Sequence, residues 1–326
     1  MTRILIGGYT PDKGHGTGIA VVDPERGVEN IIAAESPSFI VRHPFLPVLY
    51  AVAEAEAGGV AAWSLPAAES PGGTGGVEPL GTGSTGGADP CHLAVHPSGE
   101  FLVTVNYTGG SVAVHRLAAD GRIQDRTDLV THLRRGDHPR QEAAHPHMVR
   151  VTAEDVVVTD LGGDALYRYR LDDGRLALIE VVDAPPASGP RHLLAVGDRF
   201  LVTAELSGQV LVFDAGWHLL GAVPVTRSNV ECLSSELVEG GGYLYVANRG
   251  PDTVAVFRLG GDLPAYVTEV PVGRWPRHIA LDGDLLYVAN ELSDELTTMR
   301  IDPETGIPEP VARLVVPSPT CILLPR

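Results

Sequence analysis

Two arginines stand in nearly identical surroundings in this sequence, Arg191 in SGPRHLLAV and Arg277 in WPRHIALD. A guanidinium group is a planar fork of donors that suits carboxylates, phosphates and developing oxyanions. The prolines that precede the two arginines, Pro190 and Pro276, are 86 residues apart. If 86 residues are two copies of a unit of 43, the two arginines occupy equivalent positions in a repeating structure.

The same pattern, a Pro or Ser followed by a short apolar run, recurs along the whole chain. Its seven occurrences are PSFIV at Pro37, PCHLAV at Pro90, PHMVRV at Pro146, PRHLLAV at Pro190, SSELVE at Ser234, PRHIALD at Pro276 and PTCILL at Pro319. From Pro146 onward the intervals are 44, 44, 42 and 43 residues, whereas the first two are 53 and 56. The extra residues fall in the Gly/Ser/Thr-rich segment 67–88 and the charged segment 118–144, which are predicted to be surface loops.

Each unit continues with β-branched and aliphatic runs separated by tight turns, as in FLVTVNYTGGSVAVHRL and YLYVANRGPDTVAVFRL. This is a hairpin signal, and no segment has a sustained helical period. A unit of about 43 residues with four short strands is typical of a β-propeller blade. We therefore expect an all-β fold, a seven-bladed β-propeller that forms one domain over residues 1–326. The last unit is cut short after PTCILL, so one blade is predicted to combine N-terminal and C-terminal strands.

Charge and composition exclude several functions. The formal net charge of −17 opposes binding to nucleic acid. Lys13 is the only lysine, which leaves almost no candidate for Schiff-base or P-loop chemistry. There is no apolar run of membrane-spanning length and no signal-peptide pattern, and three cysteines do not make a disulfide framework. We therefore expect a cytoplasmic protein that does not bind membranes. Three cysteines, Cys91, Cys232 and Cys321, are predicted to be buried. A closed ring is compatible with a monomer.

In a propeller the first strand of each blade lines the central channel, so the repeat predicts which side chains converge there. The residues directly after the prolines or serine are Ser38, Cys91, His147, Arg191, Ser235, Arg277 and Thr320. The next residues are Phe39, His92, Met148, His192, Glu236, His278 and Cys321, and strand alternation predicts that only the first set faces the axis. The ends of the second strands are predicted to add Glu54, Asn106, Asp160, Glu205, Asn248 and Asn290.

Several of these motifs, among them QEAAHPHMV, SGPRHL, TDLGGDALYRY, LYVANRGPDTVAVF and WPRHIALD, resemble those of the seven-bladed lactonase family. That family includes propeller-type 6-phosphogluconolactonases and fungal carboxymuconate lactonizing enzymes. The resemblance covers nearly the whole chain and implies a role in carbohydrate metabolism. By motif, the active-site His, Glu and two Arg of the lactonizing relatives correspond to His147, Glu205, Arg191 and Arg249.

The resemblance predicts hydrolysis of a small anionic lactone without a cofactor. Glu205 or His147 would take a proton from the attacking water, while Arg191 and Arg249 would bind the anionic substrate and stabilise the oxyanion. Arg277, Asn106 and Asn290 are candidate substrate contacts.

Three alternative functions and the position of one loop remain open at this point. The same groups suit a lactonizing cycloisomerase. A gluconolactonase-like enzyme would hold a divalent metal on Glu54, Asn106, Asp160 and Asn248. A propeller can also serve as a noncatalytic scaffold. Finally, the loop that carries His132, Arg134, Arg135, His138 and Arg140 is either a solvated loop or an overhang above the channel mouth.

Overall fold

The apolar runs of the repeat form strands in the computed structural model, which describes residues 3–66 and 76–325. In chain order the strands are β1 (Ile4–Gly8), β2 (Gly18–Asp23), β3 (Gly27–Ala33), β4 (Ile40–Arg42), β5 (Val48–Ala53), β6 (Gly59–Ser64), β7 (Glu78–Ser84), β8 (Pro90–Val95), β9 (Phe101–Asn106), β10 (Ser111–Leu117), β11 (Ile123–Thr131), β12 (Pro146–Val151), β13 (Val156–Asp160), β14 (Ala165–Asp172), β15 (Arg175–Asp183), β16 (Pro190–Val196), β17 (Arg199–Ala204), β18 (Gln209–Phe213), β19 (Leu219–Pro224), β20 (Leu233–Gly240), β21 (Tyr243–Arg249), β22 (Thr253–Arg258), β23 (Ala265–Pro271), β24 (Pro276–Asp282), β25 (Leu285–Asn290), β26 (Glu295–Ile301), β27 (Pro308–Val315) and β28 (Pro319–Leu323).

These strands make seven four-stranded antiparallel sheets, each the blade of a propeller. Blades 2 to 7 are built from β4–β7, β8–β11, β12–β15, β16–β19, β20–β23 and β24–β27. Blade 1 has the order β28-β1-β2-β3, with Ile6 paired to Ile322 and Leu5 to Leu323. The predicted seven-bladed all-β fold with a composite blade is confirmed. Joining the two chain ends in one sheet removes the open edges that an unclosed array would expose.

The two long intervals were predicted to be surface loops, and that prediction was partly wrong. β7 lies inside segment 67–88 and β11 lies inside segment 118–144. Both are outermost strands, and most of their side chains are exposed or half-buried. A strand that faces solvent needs few apolar residues, so composition did not distinguish it from a loop. Residues 67–75 lie outside the described part of the chain.

The core consists of apolar layers between neighbouring blades. Val103 and Val114 of blade 3 pack with Val158 of blade 4, and Ile6 of blade 1 packs in one cluster with Leu296 of blade 7. Burying side chains of this size stabilises the fold by about 1.5–3 kcal/mol each, so every blade depends on its neighbours. The three free cysteines are buried, as predicted: Cys91, Cys232 and Cys321.

Helical structure in the described residues is confined to one 3₁₀ turn, Glu291–Ser293, between β25 and β26. It ends at Asp294, which has a left-handed backbone conformation with φ of 52°. The described ranges 3–66 and 76–325 contain no helix with the length and apolar character needed to span a bilayer.

Candidate active site

A ring of residues surrounds the channel mouth where the second strand of each blade ends. Its members, called the mouth ring below, are Tyr9, Glu54, Tyr107, Leu161, Glu205, Arg249 and Glu291. In six blades the backbone amide of the ring residue donates a hydrogen bond to a carbonyl near the first strand of the same blade. The acceptor is the residue directly before the Pro that begins the repeat unit, as from Glu205 to Gly189 (2.8 Å) and from Tyr107 to Asp89 (2.9 Å). The repeated bond shows that these positions are structurally equivalent.

Comparison of the repeat units in the sequence placed Glu54 and Glu205 at the same position as Asn106 and Asn290. The structure shifts the two glutamates by one residue. Asn106 and Asn290 pair with Pro90 and Pro276, and the residue that pairs with Pro190 is Ala204. A shift of one residue turns a strand side chain to the opposite face. Glu54 and Glu205 therefore belong to the mouth ring, one position beyond the asparagines.

Asn106 and Asn290 point into their own blades and do not contact the mouth pocket. The Asn106 amide donates to Ser111 Oγ (2.9 Å), and the Asn290 amide donates to Thr297 Oγ1 (2.9 Å). Both side chains are fully buried. The structure gives no support to the predicted substrate contacts of Asn106 and Asn290, and it assigns both residues to holding the blade together.

A β-bulge at the start of the first strand lets two successive side chains reach the channel. The pairing register shifts there in six blades, for example between Pro190 and Leu193 and between Pro276 and His278. A bulge leaves one residue unpaired and changes the direction of its side chain. The prediction that only the first of the two positions faces the axis was wrong, because Arg191 and His192 both line the pocket, as do Arg277 and His278.

Glu205 lies at the centre of three arginines. Its Oε2 is 2.9 Å from Arg191 Nε and 2.6 Å from Arg249 Nη2, and its Oε1 is 2.7 Å from Arg140 Nη1. Burial alone would raise the pKa of Glu205, but Arg249, Arg191 and Arg140 overcome it and lower the pKa to about 2. Glu205 is therefore a permanent anion that holds three cations, and it is a poor acceptor for a proton.

The arginines nevertheless keep donors that this carboxylate does not satisfy. Five buried polar atoms at the mouth make no aligned hydrogen bond among residues 3–66 and 76–325: Ser38 Oγ, Glu54 Oε2, His147 Nδ1, Arg191 Nε and Arg249 Nη2. The N–H groups of Arg191 and Arg249 are close to Glu205 but are not aligned with its oxygens. Buried polar atoms without an aligned partner are suited to contacts with a ligand or with water.

His147 lies in the blade next to Arg191 and lines the same opening. Its side chain is buried, and burial together with the charge of Arg191 holds the pKa of His147 well below its usual range. At neutral pH the imidazole is uncharged. With its proton on Nε2, its unpartnered Nδ1 is free to accept a proton within a cationic pocket.

Arg277 lies on the other side of the mouth and is part of a separate ionic group. Its Nη1 is 3.1 Å from Glu291 Oε2, and its Nη2 donates to Tyr9 Oη (2.6 Å). The Tyr9 hydroxyl in turn donates to Glu54 Oε1 (2.8 Å), which also lies 3.3 Å from Lys13 Nζ. Arg277 is therefore fixed in place by two partners, and its guanidinium borders the pocket opposite His147.

Below the arginines the channel is filled by a buried layer of rings around Glu236. His192 Nδ1 lies 2.8 Å and His278 Nε2 lies 3.3 Å from Glu236 Oε2, and Phe39 packs against His92 with ring centroids 3.9 Å apart and the ring planes tilted by 34°. The free space above this layer is only about 10 Å³, which is room for about one water molecule. The space enclosed by these residues therefore does not admit a molecule larger than water.

The buried histidines predict that the protein loses stability in mild acid. Burial lowers the pKa of His278 to about 4, and it lowers those of His92, His147 and His192 well below 6.5. The neutral histidines contribute to the free energy of unfolding above pH 6.5, and this contribution is lost as the pH falls because the unfolded chain then binds more protons than the folded protein. For His278 the loss at pH 5 is about 2 kcal/mol.

Burial raises the pKa of Glu236, so this group increases the free energy of unfolding as the pH falls. It is a single group, and the four buried histidines have the opposite effect. We expect the free energy of unfolding, measured by urea denaturation, to decrease between pH 7 and pH 5. His278→Gln should reduce that decrease. A flat pH dependence of the wild type would contradict this interpretation of the layer.

The proposed metal-holding ring does not form. Asp160 Oδ2 lies 2.8 Å from His132 Nδ1, and its Oδ1 accepts the backbone amide of His145. Asn248 donates to the carbonyl of Val225, which directly follows β19 of blade 5. The described residues contain no group of three or more His, Cys, Asp or Glu side chains arranged to hold a metal ion. Glu54, Asn106, Asp160 and Asn248 instead have separate, local partners.

The positions of two cations at the mouth could not be predicted from the sequence. Lys13 was noted only as the single lysine, and its contact with Glu54 and Asp89 depends on the loop that joins β1 and β2. Arg140 was left undecided between a solvated loop and an overhang, and the structure places it over the mouth against Glu205. The only sequence signals were the rarity of lysine and the QE pair directly after Arg140.

Comparison with known proteins gives a consistent result. The family described as Lactonase, 7-bladed beta-propeller matches residues 3–324. A 6-phosphogluconolactonase of Bacillus subtilis (strain 168) is 31% identical over 352 residues, covering 99% of this chain and 98% of the relative, and one of Formosa agariphila is 28% identical with 93% of each chain covered. The solved structure of a periplasmic gluconolactonase of Pseudomonas aeruginosa superposes with a TM-score of 0.89 at 27% identity, covering 99% of this chain and 98% of that one.

Proposed function

Because this chain belongs to the seven-bladed β-propeller lactonase family, we propose that its channel mouth is the active site of a lactone hydrolase that opens an anionic sugar-type lactone. Relatives named 6-phosphogluconolactonase and gluconolactonase support this reaction class. The observation that supports the assignment to the mouth is the buried pair Arg191 and Arg249, whose Nε and Nη2 groups make no aligned hydrogen bond to Glu205, beside the neutral imidazole of His147.

The first step is binding of the lactone with its ester carbonyl towards Arg191 and Arg249. Both guanidinium groups are buried, and burial together with the neighbouring Arg249 lowers the pKa of Arg191 to about 10, so Arg191 remains charged at neutral pH. Arg191 is held by a hydrogen bond from Nη1 to the Ser235 carbonyl (2.6 Å), and Arg249 by one from Nε to the Leu233 carbonyl (3.2 Å). Donors fixed in advance in this way stabilise a developing oxyanion without reorganisation.

In the second step a water oxygen attacks the carbonyl carbon while His147 Nδ1 takes one of its protons. The tetrahedral oxyanion lies between Arg191 and Arg249. Collapse of this intermediate breaks the ring C–O bond, and the alkoxide that leaves takes the proton back from the His147 imidazolium. The arginines make this imidazolium a strong acid, which favours that transfer. The carboxylic acid product then ionises, which releases one proton to solvent.

Glu205 acts in this scheme as a positioning residue. Its charge offsets those of Arg140, Arg191 and Arg249 and fixes their planes, while its low pKa of about 2 makes proton abstraction unfavourable. Of the two bases that the sequence left open, His147 is the one whose acceptor atom has no cation paired with it, because both oxygens of Glu205 lie within 2.9 Å of arginine nitrogens.

A pH-indicator assay of proton release tests the proposed function. We expect wild-type protein to open 6-phosphogluconolactone or unphosphorylated gluconolactone faster than the spontaneous reaction, with and without EDTA. Arg300→Gln is a suitable control, because Arg300 pairs with Asp284 on the turn between β24 and β25, at the other end of the strands from the mouth. Acceleration of a muconate-type lactone alone, or no acceleration at all, would overturn the proposal.

The role of His147 has its own kinetic signature. His147→Gln should lower kcat by about 10²–10⁴-fold, the usual contribution of a positioned general base. In the wild type, kcat should stay constant from pH 8 to pH 6.5 and decline only below pH 6.5, because the pKa of His147 lies well below its usual range. An acid limb centred at or above pH 7 would exclude His147 as the base.

A further inference from the structure

Trp275 has an unusual backbone conformation for a large residue, directly before the first strand of blade 7. Its φ is 62°, a left-handed value that is strained for a bulky side chain and unstrained for glycine. The residues at the equivalent position of blades 5 and 1 are Gly189, with φ of 62°, and Ser318, with φ of 43°. The repeat therefore accepts a glycine or a serine here and does not itself require a tryptophan.

Hydrogen bonds from two neighbouring turns fix the backbone of Trp275. Its amide donates to Asp252 Oδ1 (2.8 Å), which lies on the turn that follows Arg249, and its carbonyl accepts the amide of Glu291 (3.1 Å). Blade 1 repeats the first contact, since the Ser318 amide donates to Asp294 Oδ1 (2.7 Å). These contacts belong to the repeat, so they explain the backbone conformation but not the choice of side chain.

A second tryptophan with a left-handed backbone is explained by core packing. Trp217 has φ of 64°, is buried in the apolar layer between blades 4 and 5, and stacks on Phe200 with ring centroids 3.9 Å apart. Trp275 is instead partly exposed, and none of the apolar clusters formed by residues 3–66 and 76–325 includes it. Core packing accounts for Trp217 and does not account for Trp275.

The indole of Trp275 lies over the guanidinium group of Arg249. The distance from Arg249 Cζ to the ring centroid is 5.5 Å, within the range of a cation–π interaction. The edge of the same guanidinium is held by the Leu233 carbonyl, 3.2 Å from Nε, and by Glu205 Oε2, 2.6 Å from Nη2. Because the Arg249 side chain is only 6% exposed whereas Trp275 is partly exposed, the indole covers the arginine on its solvent side.

An aromatic cover has a specific effect on an arginine that must bind an anion. The ring restrains the plane of the guanidinium and keeps water from its face, and it takes none of the five N–H donors. A carboxylate at the same place would occupy donors and add a further negative charge. Electrostatic interactions are also stronger where water is excluded. The cover therefore leaves the donors of Arg249 available and strengthens their interaction with an anion.

We propose that Trp275 is a positioning residue, which orients and dehydrates Arg249 and so sets how strongly Arg249 binds the ester oxygen. The proposal rests on the proposed function, which places the ester carbonyl at Arg191 and Arg249. Arg191 needs no such cover, because its side chain is 3% exposed and its Nη1 is bound to the Ser235 carbonyl (2.6 Å). Trp275 acts through Arg249 and does not need to touch the reacting atoms.

Variants of Trp275 test this through turnover and through calorimetric binding of 6-phosphogluconate. We expect Trp275→Leu to lower both kcat and affinity by about 10-fold, the effect of losing a largely desolvated cation–π contact. Trp275→Phe should keep both within about three-fold of the wild type, because it retains an aromatic face. In an Arg249→Gln background, Trp275→Leu should have little further effect, because the residue through which it acts is gone.

Fluorescence gives a readout that a purely structural role would not change. The other two tryptophans, Trp63 and Trp217, are buried, so binding of 6-phosphogluconate should alter the emission of the wild type and not that of Trp275→Phe. Trp217→Phe is the matched control. It changes a second tryptophan with positive φ that lies over an arginine, Arg168 (5.1 Å), on the turn between β18 and β19, at the other end of the strands from the mouth. Its kcat, affinity and emission change should match those of the wild type.

The outcomes separate the two proposals. Wild-type kcat and affinity in folded Trp275→Leu, a Trp275→Phe protein as impaired as Trp275→Leu, or a full effect of Trp275→Leu in the Arg249→Gln background would each overturn the role of Trp275 and leave the lactonase standing. Trp275-dependent binding of 6-phosphogluconate by a protein that hydrolyses no lactone would overturn the proposed function alone. Absence of both binding and hydrolysis would overturn both. Circular dichroism verifies that each variant is folded.

Discussion

Arg191→Gln is expected to lower kcat for lactone hydrolysis by about 100-fold or more. Removing one preorganised oxyanion donor usually costs about 3–4 kcal/mol of transition-state stabilisation. Arg191 provides such a donor from a buried Nε that makes no aligned hydrogen bond, although it lies 2.9 Å from Glu205 Oε2, and its Nη1 bond to the Ser235 carbonyl fixes its direction. Because the donor acts mainly on the oxyanion, kcat should fall more than KM rises.

Arg191 also pairs with Glu205, so the stability of the variant must be measured beside its activity. A folded Arg191→Gln protein with kcat within a few-fold of the wild type would remove Arg191 from the reaction. Arg249→Gln should behave in the same way, and the double variant should lose less than the product of the two single losses, because the two donors serve one oxyanion.

Glu205→Gln is expected to destabilise the protein by about 3 kcal/mol, the usual cost of removing one partner from a buried ion pair. The substitution keeps the shape of the side chain but leaves Arg140, Arg191 and Arg249 facing one another without their shared anion. Urea denaturation at pH 7 measures the loss. Turnover should fall as well, because the arginines lose their fixed orientation.

A pH signature distinguishes this charge effect from simple repacking. Because the pKa of Glu205 is lowered to about 2, its charge contributes to the free energy of unfolding above pH 4.5, and this contribution disappears as the pH falls from 4.5 towards 2. The stability difference between the wild type and Glu205→Gln should shrink over that range. Adding Arg249→Gln to Glu205→Gln should restore part of the stability at pH 7. A Glu205→Gln protein as stable as the wild type would refute the central role of this carboxylate.

The repeat was readable from sequence because each blade carries the same proline and the same paired apolar runs. Spacing alone predicted seven blades and the closure by β28 and β1, and it correctly placed Arg191 and Arg277 in equivalent positions. These features depend on short-range patterns that recur every 42 to 44 residues from Pro146 onward.

The parts that sequence missed depend on register and on loops. The bulge after Pro190 adds His192 to the channel, and a one-residue slip separates Glu205 from the asparagines that seemed aligned with it. Neither event changes the apolar pattern, so period-two alternation does not detect it. Lys13 and Arg140 reach the mouth from connections outside the strands, where the repeat has no predictive value.

The most direct test of the account is a crystal structure of the protein in complex with 6-phosphogluconate. We expect the carboxylate of the sugar acid to lie against Arg191 and Arg249 beside His147. A sugar acid bound away from the mouth, for example in the outer groove of about 280 Å³ beside Arg199 and Leu259, would contradict the central claim that this opening is where the lactone is opened.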